Sequence, residues 1–334
     1  MKKKVITFGE VMMRLSPPGY SKFSQTDSLE LVYGGGEANV GISLAYLGMK
    51  AAHITRFPDN ALGKAATQFL RKHWINTEHI FYGGDMIGKY FLEKGAVHRP
   101  SEIIYERTGS SFSLIEPSMI DWELVFKDAD WFHWTGITPA ISQGAADSCL
   151  EAIKTANRMG IPVSGDINSR MNMWKYGKEM NEVLPELAKN TDIVITSKSG
   201  IRDIFNIESI DDSFKSSAQA LMNIHSRIKK VVKKTRVSVS ASHQQIQGKI
   251  WNGEDYIKSE MLNITHVIDR VGTGDAFAAG LIYGLLHYDN DLDALSFATA
   301  ACALKHTVPG DVNMVSLDNV VSLMKGNTSG SLVR

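Results

Sequence analysis

The stretch Asp269-Arg270-Val271-Gly272-Thr273-Gly274-Asp275-Ala276-Phe277-Ala278-Ala279-Gly280 combines the parts of an anion-binding turn with a carboxylate at its end. Val267 and Ile268 read as the close of a buried strand, and the small and apolar residues from Ala276 through Leu285 read as a buried helix. Gly272, Thr273 and Gly274 can turn their backbone N–H groups toward one point, where the helix N-terminus adds partial positive charge. Asp275 would repel an anion held there unless it works on a neighbour, such as the proton of a hydroxyl. An anion hole beside a base is what phosphoryl transfer to an alcohol requires. On this stretch alone a plain N-cap role for Asp275 stays open. Two rivals are excluded: Phe277 stands where a dinucleotide fingerprint needs its third glycine, and no Gly-Lys-Ser/Thr P-loop occurs in the chain.

A second glycine cluster, Gly34-Gly35-Gly36-Glu37-Ala38-Asn39, precedes a helical pattern. The glycines permit close approach of a ligand, and the Asn39 amide can both donate to and accept from sugar hydroxyls. Alone it reads equally as a simple connection.

The elements that would position these clusters alternate. Strands are expected at Val5–Phe8, Ala51–Ile54, Trp131–Trp134, Pro162–Asp166 and Ile193–Thr196. Helices are expected at Asn39–Leu47, Leu62–His73, Gln143–Met159 and Asp291–Lys305. That order implies an α/β fold with a mostly parallel central sheet covered on both faces, its ligands beyond the C-terminal strand ends. Residues 11–33 and 86–108 break the rhythm with short polar and aromatic strand patterns, as in Lys89-Tyr90-Phe91-Leu92-Glu93-Lys94 and Ile103-Ile104-Tyr105-Glu106-Arg107. They form the expected β-lid, or else surface hairpins without function. Residues 1–10, 34–85 and 109–325 form the expected main domain, and 326–334 a loosely ordered tail.

The chain has 334 residues, 43% hydrophobic and 22% charged, with 36 basic residues balancing 36 acidic ones. No net field favours nucleic acid or an anionic membrane. The apolar run after Lys2-Lys3-Lys4 stops at Gly9-Glu10, which reads as a first strand rather than a signal peptide. Cys149 and Cys302 lie in apolar helical patterns without metal-ligand spacing, as reduced core residues of a cytoplasmic enzyme would.

Together the two glycine clusters resemble the signatures of the ribokinase-like (PfkB) carbohydrate kinases, and Phe57-Pro58-Asp59-Asn60-Ala61-Leu62-Gly63 matches a loop of that family. More narrowly the chain is similar to 2-keto-3-deoxygluconate kinases, through Tyr105-Glu106-Arg107-Thr108-Gly109-Ser110, His133-Trp134-Thr135-Gly136-Ile137-Thr138-Pro139, Asp166-Ile167-Asn168-Ser169-Arg170 and the segment from Ala303 to Asp311. The resemblance implies a ribokinase-like three-layer αβα sandwich with a small β-sheet lid. It also implies ATP-dependent phosphorylation of a sugar acid, with magnesium bridging the nucleotide phosphates. Asp275 would be the general base, and Gly272, Thr273 and Gly274 the anion hole. Gly34, Gly35, Gly36, Glu37, Ala38, Asn39, Tyr90, Tyr105, Arg107, Arg170 and Asp311 would face the sugar. A sugar acid needs a cation, and the planar fork of arginine suits a carboxylate best. Arg107 and Arg170 are the candidates, although Arg170 at a strand end could instead face the transferring phosphate. A partly apolar lid favours a homodimer, lid against lid.

The nucleotide side departs from that family's pattern. Ser197-Lys198-Ser199-Gly200 stands where an Asn-x-x-Glu is usual, so no metal ligands are assigned. A Gly-rich loop is replaced by Lys233-Lys234-Thr235-Arg236-Val237-Ser238-Val239-Ser240. Asn168, Ser197, Lys233 and Arg236 are the expected nucleotide contacts, or 233–243 is a plain polar hairpin. Two further readings stay open: a neutral-sugar kinase of fructokinase or ribokinase type, and a non-catalytic sugar-acid sensor on the same fold.

Overall fold

The computed structural model describes residues 2–167, 170–208 and 211–328. Its 11-stranded sheet runs Tyr256–Lys258, His243–Trp251, Lys230–Ser240, Ile193–Ile195, Val163–Asp166, Trp131–Thr135, Lys4–Phe8, Lys50–Phe57 and Ile75–Asn76, with Leu262–Ile264 against His243–Trp251 and Ile80–Tyr82 against Lys50–Phe57. Pairing is parallel from Lys230–Ser240 across to the Ile75–Asn76 edge and antiparallel beyond it.

The central strands are apolar on both faces because helices cover both. Alternation along Lys4–Phe8 sends Ile6 and Phe8 into one core and Val5 into the other. The first core takes the helices Gln143–Arg158, Met180–Ala188, Lys198–Phe205 and Phe214–Ile224. The second takes Gly36–Tyr46, Thr273–His287, Asp291–Lys305 and Leu317–Met324. Three layers result, as expected. None of the helices among the described residues is long and apolar enough to cross a membrane. Cys149 and Cys302 are free thiols in the core.

Two expectations need correction. Val267 and Ile268 do not close a strand: the strand ends at Ile264, and the segment after it hangs on the Ser242 carbonyl through Val267 and on the His306 carbonyl through Ile268 and Asp269. These bonds aim the following turn from outside the sheet. The first helix begins at Gly36 rather than Asn39, because Gly35 is its extended N-cap residue. The expected tail falls partly on residues 329–334, outside the described residues.

A separate four-stranded sheet pairs Glu30–Gly34, Met12–Ser16, Lys89–Glu93 and Glu102–Glu106 in that order. It lies in the segments read as a lid. Leu31 and Ile104 are exposed on it. Its Val97 loop also reaches the tip of the Lys230–Trp251 hairpin: Ala241 N–H donates to the Val97 carbonyl at 2.8 Å, and Val97 N–H to Ser242 Oγ at 3.1 Å. The small sheet and this hairpin thus meet.

The helices Thr273–His287 and Asp291–Lys305 approach closely where Gly284 faces Ala294, and a Cβ on Gly284 would stand 2.6 Å from the Ala294 Cα. Gly284→Ala is expected to cost about 1–3 kcal/mol by overpacking. Urea denaturation checks this, and a midpoint unchanged from the parent would contradict it.

Candidate active site

The turn Asp269–Gly272 and the loop Gly34–Gly36 meet at the C-terminal edge of the central strands and open on a cavity of about 690 Å³. Gly272 is the N-cap of the helix Thr273–His287 with φ +76°, and a Cβ there would collide with the Asp311 carbonyl. Only glycine satisfies both constraints. No side chain caps this helix, and its first turn, Gly272 to Asp275, lines the cavity, an arrangement that can hold an anion. Thr273 braces the turn by donating to the Arg270 carbonyl at 3.0 Å.

Beneath the turn lies a buried charge network. Arg14, with 2% of its side chain exposed, donates to Asp311 at 2.7 Å and to Asp269 at 2.8 Å. Tyr90 donates its hydroxyl to the other Asp311 oxygen. Asp269 accepts in addition from the N–H groups of Val271 and Gly310. The arrangement fixes the turn, the Gly310–Asp311 loop and the small sheet to one another. Lys305 is also buried here, its Nζ donating to the Val308 carbonyl at 2.9 Å.

Asp275 sits in the first turn of its helix, half-buried and open to the cavity. Asn39 Nδ2 donates to its Oδ2 at 2.7 Å, so the two glycine clusters are joined through the carboxylate itself. Desolvation pushes the Asp275 pKa up to about 7; the Asn39 hydrogen bond opposes this, Asp166 adds to it, and Lys234 and Arg170 oppose it. A carboxylate near neutrality, oriented by an amide beside unpaired helix N–H groups, can accept a proton from an alcohol.

The donor half of the cavity is lined by Thr196, Ser197, Lys233, Lys234, Thr235, Arg236 and Arg270, with Arg170 and Asp166 between the halves. Arg236 and Arg270 repel each other. Arg170 holds φ +45°, a left-handed backbone conformation unusual for an arginine and of the kind found at ligand sites. Among the described residues no group of three His, Cys, Asp or Glu could hold a metal ion. The basic and hydroxyl side chains of the donor half fit a polyanion.

Of the residues expected from sequence, Gly34, Gly35, Gly36, Asn39, Tyr90, Tyr105, Arg170, Ser197, Lys233, Arg236, Gly272, Thr273, Gly274, Asp275 and Asp311 line this cavity. Several do so in another role. Asn39, expected on sugar hydroxyls, is committed to Asp275. Asp311 is engaged by Arg14 and Tyr90. Ser197 caps the helix Lys198–Phe205, and the Lys233 ammonium lies 5.6 Å from the centre of the Phe214 ring.

Glu37 and Ala38 are corrections: both are buried under the loop and do not reach the cavity. Glu37 Oε1 accepts from the Thr135 hydroxyl at 2.8 Å and the Thr138 hydroxyl at 2.7 Å, while Ala38 packs in the core. Arg107 is likewise set back from the cavity lining, its guanidinium turned to Glu10 and to Met173 Sδ at 3.9 Å. Its Nη2 is ion-paired with Glu10, while its Nε has no hydrogen-bond acceptor among the described residues. Asn168 lies outside the described residues.

The sequence reading missed Arg14, Asp166 and Lys234. A signal existed for Lys234: counting alternate residues from the buried Val232 puts it, with Arg236, on the face toward the anion turn. A lone arginine within Val11-Met12-Met13-Arg14-Leu15 also signals a buried pair, but its partners lie 255 and 297 residues away.

Comparison with known proteins agrees with the geometry. The family model for pfkB family carbohydrate kinases matches residues 2–317. The 2-dehydro-3-deoxygluconokinase of Thermotoga maritima superposes with a TM-score of 0.92 at 37% identity, covering 98% of this chain and 99% of its own. A PfkB family carbohydrate kinase of Listeria grayi superposes at 0.91 with 31% identity, over 97% of this chain and all of its own (100%). The 2-dehydro-3-deoxygalactonokinase of Haloferax volcanii is 29% identical over 330 residues, 99% of each chain.

The raised Asp275 pKa has a stability consequence. The native state keeps a proton on Asp275 up to about pH 7, whereas the unfolded chain releases it near 3.8. Its contribution to stability therefore falls as pH rises through that window. The charged or ionisable groups around it are Asp166, Arg170, Lys234, Lys305 and Cys302. Asp275→Asn is expected to raise the melting temperature at pH 8 and to raise it less at pH 5. Calorimetry at the two pH values tests this; an equal change at both would contradict the shift.

Proposed function

The chain belongs to the pfkB family of carbohydrate kinases, and on that premise we propose that it phosphorylates the terminal hydroxyl of a 2-keto-3-deoxy sugar acid, 2-keto-3-deoxygluconate in the first instance, with ATP as donor. The observation that carries this reading is Asp275, held by Asn39 at 2.7 Å beside the uncapped helix turn. Similarity to proteins named for 2-dehydro-3-deoxygluconate and 2-dehydro-3-deoxygalactonate supports the substrate class.

The sugar acid lies between the Gly34–Gly36 loop and the small sheet, against Tyr90 and Tyr105, whose ring centres are 5.7 Å apart. Its terminal hydroxyl points at Asp275. Asp275 accepts the proton as the hydroxyl oxygen attacks the γ-phosphorus, and the N–H groups of Gly272, Thr273 and Gly274 stabilise the charge on the transferring phosphoryl. Arg170 is near enough to act on Asp275 electrostatically, which favours its phosphate-facing role. The sugar carboxylate, at the other end of the six-carbon chain, then falls toward the small sheet. Arg107 is the cation there, its Nε buried without an acceptor beside the Glu10 ion pair. Exposed Leu31 and Ile104 on the small sheet support dimerisation through the lid. Magnesium, when bound, would neutralise charge on the donor phosphates.

Asp275→Asn keeps the shape and removes the base, and is expected to lower kcat by roughly two to four decades. Wild-type turnover in that variant would remove Asp275 from the mechanism. Arg107→Ala is expected to raise the KM for the sugar acid at least tenfold and leave the KM for ATP within about threefold, the pattern of a lost ligand-binding contact. Equal changes in both constants would place Arg107 outside the sugar site.

A further inference from the structure

We propose that Lys234 is a further catalytic residue, its ammonium facing the transferring phosphoryl across the anion turn; this rests on the kinase reading above. Lys234 lies on Lys230–Ser240, opposite Gly248 of the paired strand His243–Trp251. A Cβ on Gly248 would meet Leu295 and Thr299 at 2.6 and 2.8 Å, so this face of the hairpin packs on the helix Asp291–Lys305. The Lys234 stem runs over that packed face toward the N-terminus of the neighbouring helix. Its Nζ ends 3.5 Å from where a Cβ of Gly274 would stand, at the mouth of the anion turn.

Of the other cations of the cavity, Arg170 shares with Lys234 an electrostatic effect on Asp275, and the rest are placed differently. The Lys233 ammonium lies by Phe214, and Arg236 and Arg270 are exposed at the rim. Lys305 is bonded to a backbone carbonyl behind the turn. Lys234 is half-buried, lines the cavity, and has no hydrogen-bond acceptor or ion-pair partner among the described residues. A half-buried ammonium with no hydrogen-bond acceptor is free to meet a polyanion in the cavity. Its charge also acts on Asp275, so it lies within reach of the reacting hydroxyl as well as the phosphoryl.

The step balances without further reagents. The acceptor oxygen forms its bond to the γ-phosphorus as the bond to the bridging β–γ oxygen breaks. That oxygen keeps the electron pair and leaves on ADP, while the hydroxyl proton passes to Asp275. Lys234 neutralises charge on the phosphoryl oxygens, a task the few carboxylates of the cavity cannot perform.

The test is steady-state kinetics of the full chain with MgATP and the sugar-acid substrate, comparing wild type, Lys234→Met, Lys234→Gln and Lys234→Arg, with ATP binding measured separately by titration calorimetry. Loss of one such group is expected to lower kcat roughly 100- to 1000-fold in the neutral variants. Their ATP dissociation constants should stay within about fivefold, and the Arg variant should recover at least tenfold of the lost rate. A kcat within threefold of wild type in either neutral variant overturns the proposal. So does a weakened ATP affinity with kcat preserved, which would make Lys234 a ground-state binding group. Absence of turnover by wild type with any sugar or sugar acid would instead overturn the kinase reading, and the role of Lys234 with it.

Discussion

A guanidinium with 2% of its side chain exposed must have its charge matched, and Arg14 is matched by Asp269 and Asp311 together. Burial pulls its pKa down and the two carboxylates push it up by more, so Arg14 keeps its charge. Its geometry decides where everything else sits. Asp269 anchors the anion turn, Asp311 holds Tyr90, and Arg14 belongs to the small sheet, so the three parts of the cleft are one unit. Removing one partner of a buried set of this kind leaves an uncompensated charge and is far costlier than removing the whole set. The glycines follow from the same constraint: Gly34 and Gly272 lie where a side chain would strike Asp311.

Above this floor the site separates two opposed requirements. On the proposed mechanism an anion has to be held next to a carboxylate that must itself give up its proton before it can act. The fold reconciles them by orienting Asp275 with Asn39 and raising its pKa toward neutrality through desolvation. Cations from the hairpin and from the turn are placed on the side where the phosphates would lie. Arg236 and Arg270 repel each other, and a polyanion between such cations would offset that repulsion.

Much of this was legible in the sequence, for identifiable reasons. Buried parallel strands such as Trp131–Thr135 read as continuous apolar runs, and the two glycine clusters stand out because few other residues permit their backbone paths. The lid strands were readable from their aromatic alternation. What stayed illegible depends on direction and on distance along the chain. Glu37 and Ala38 sit inside a glycine-rich signature, yet one turn of helix points them into the core. Arg107 was readable as a cation, but not its turn toward Glu10. Within Lys233-Lys234 the two ammonium groups differ only by strand alternation, which sends one toward Phe214 and the other toward the anion turn. Val267 is apolar because it packs in the core beneath the turn, not because it extends a strand.

The most direct measurement is ADP release by the purified chain with MgATP, across 2-keto-3-deoxygluconate, 2-keto-3-deoxygalactonate, gluconate, fructose and ribose. Turnover confined to the two keto acids, with catalytic efficiency at least a hundredfold above that for the neutral sugars, is the expected result. A neutral sugar turned over as efficiently would contradict the sugar-acid assignment while leaving the Asp275 chemistry in place. Silence across the panel in a chain that binds a keto acid but no ATP would contradict the kinase account and identify a sugar-acid sensor.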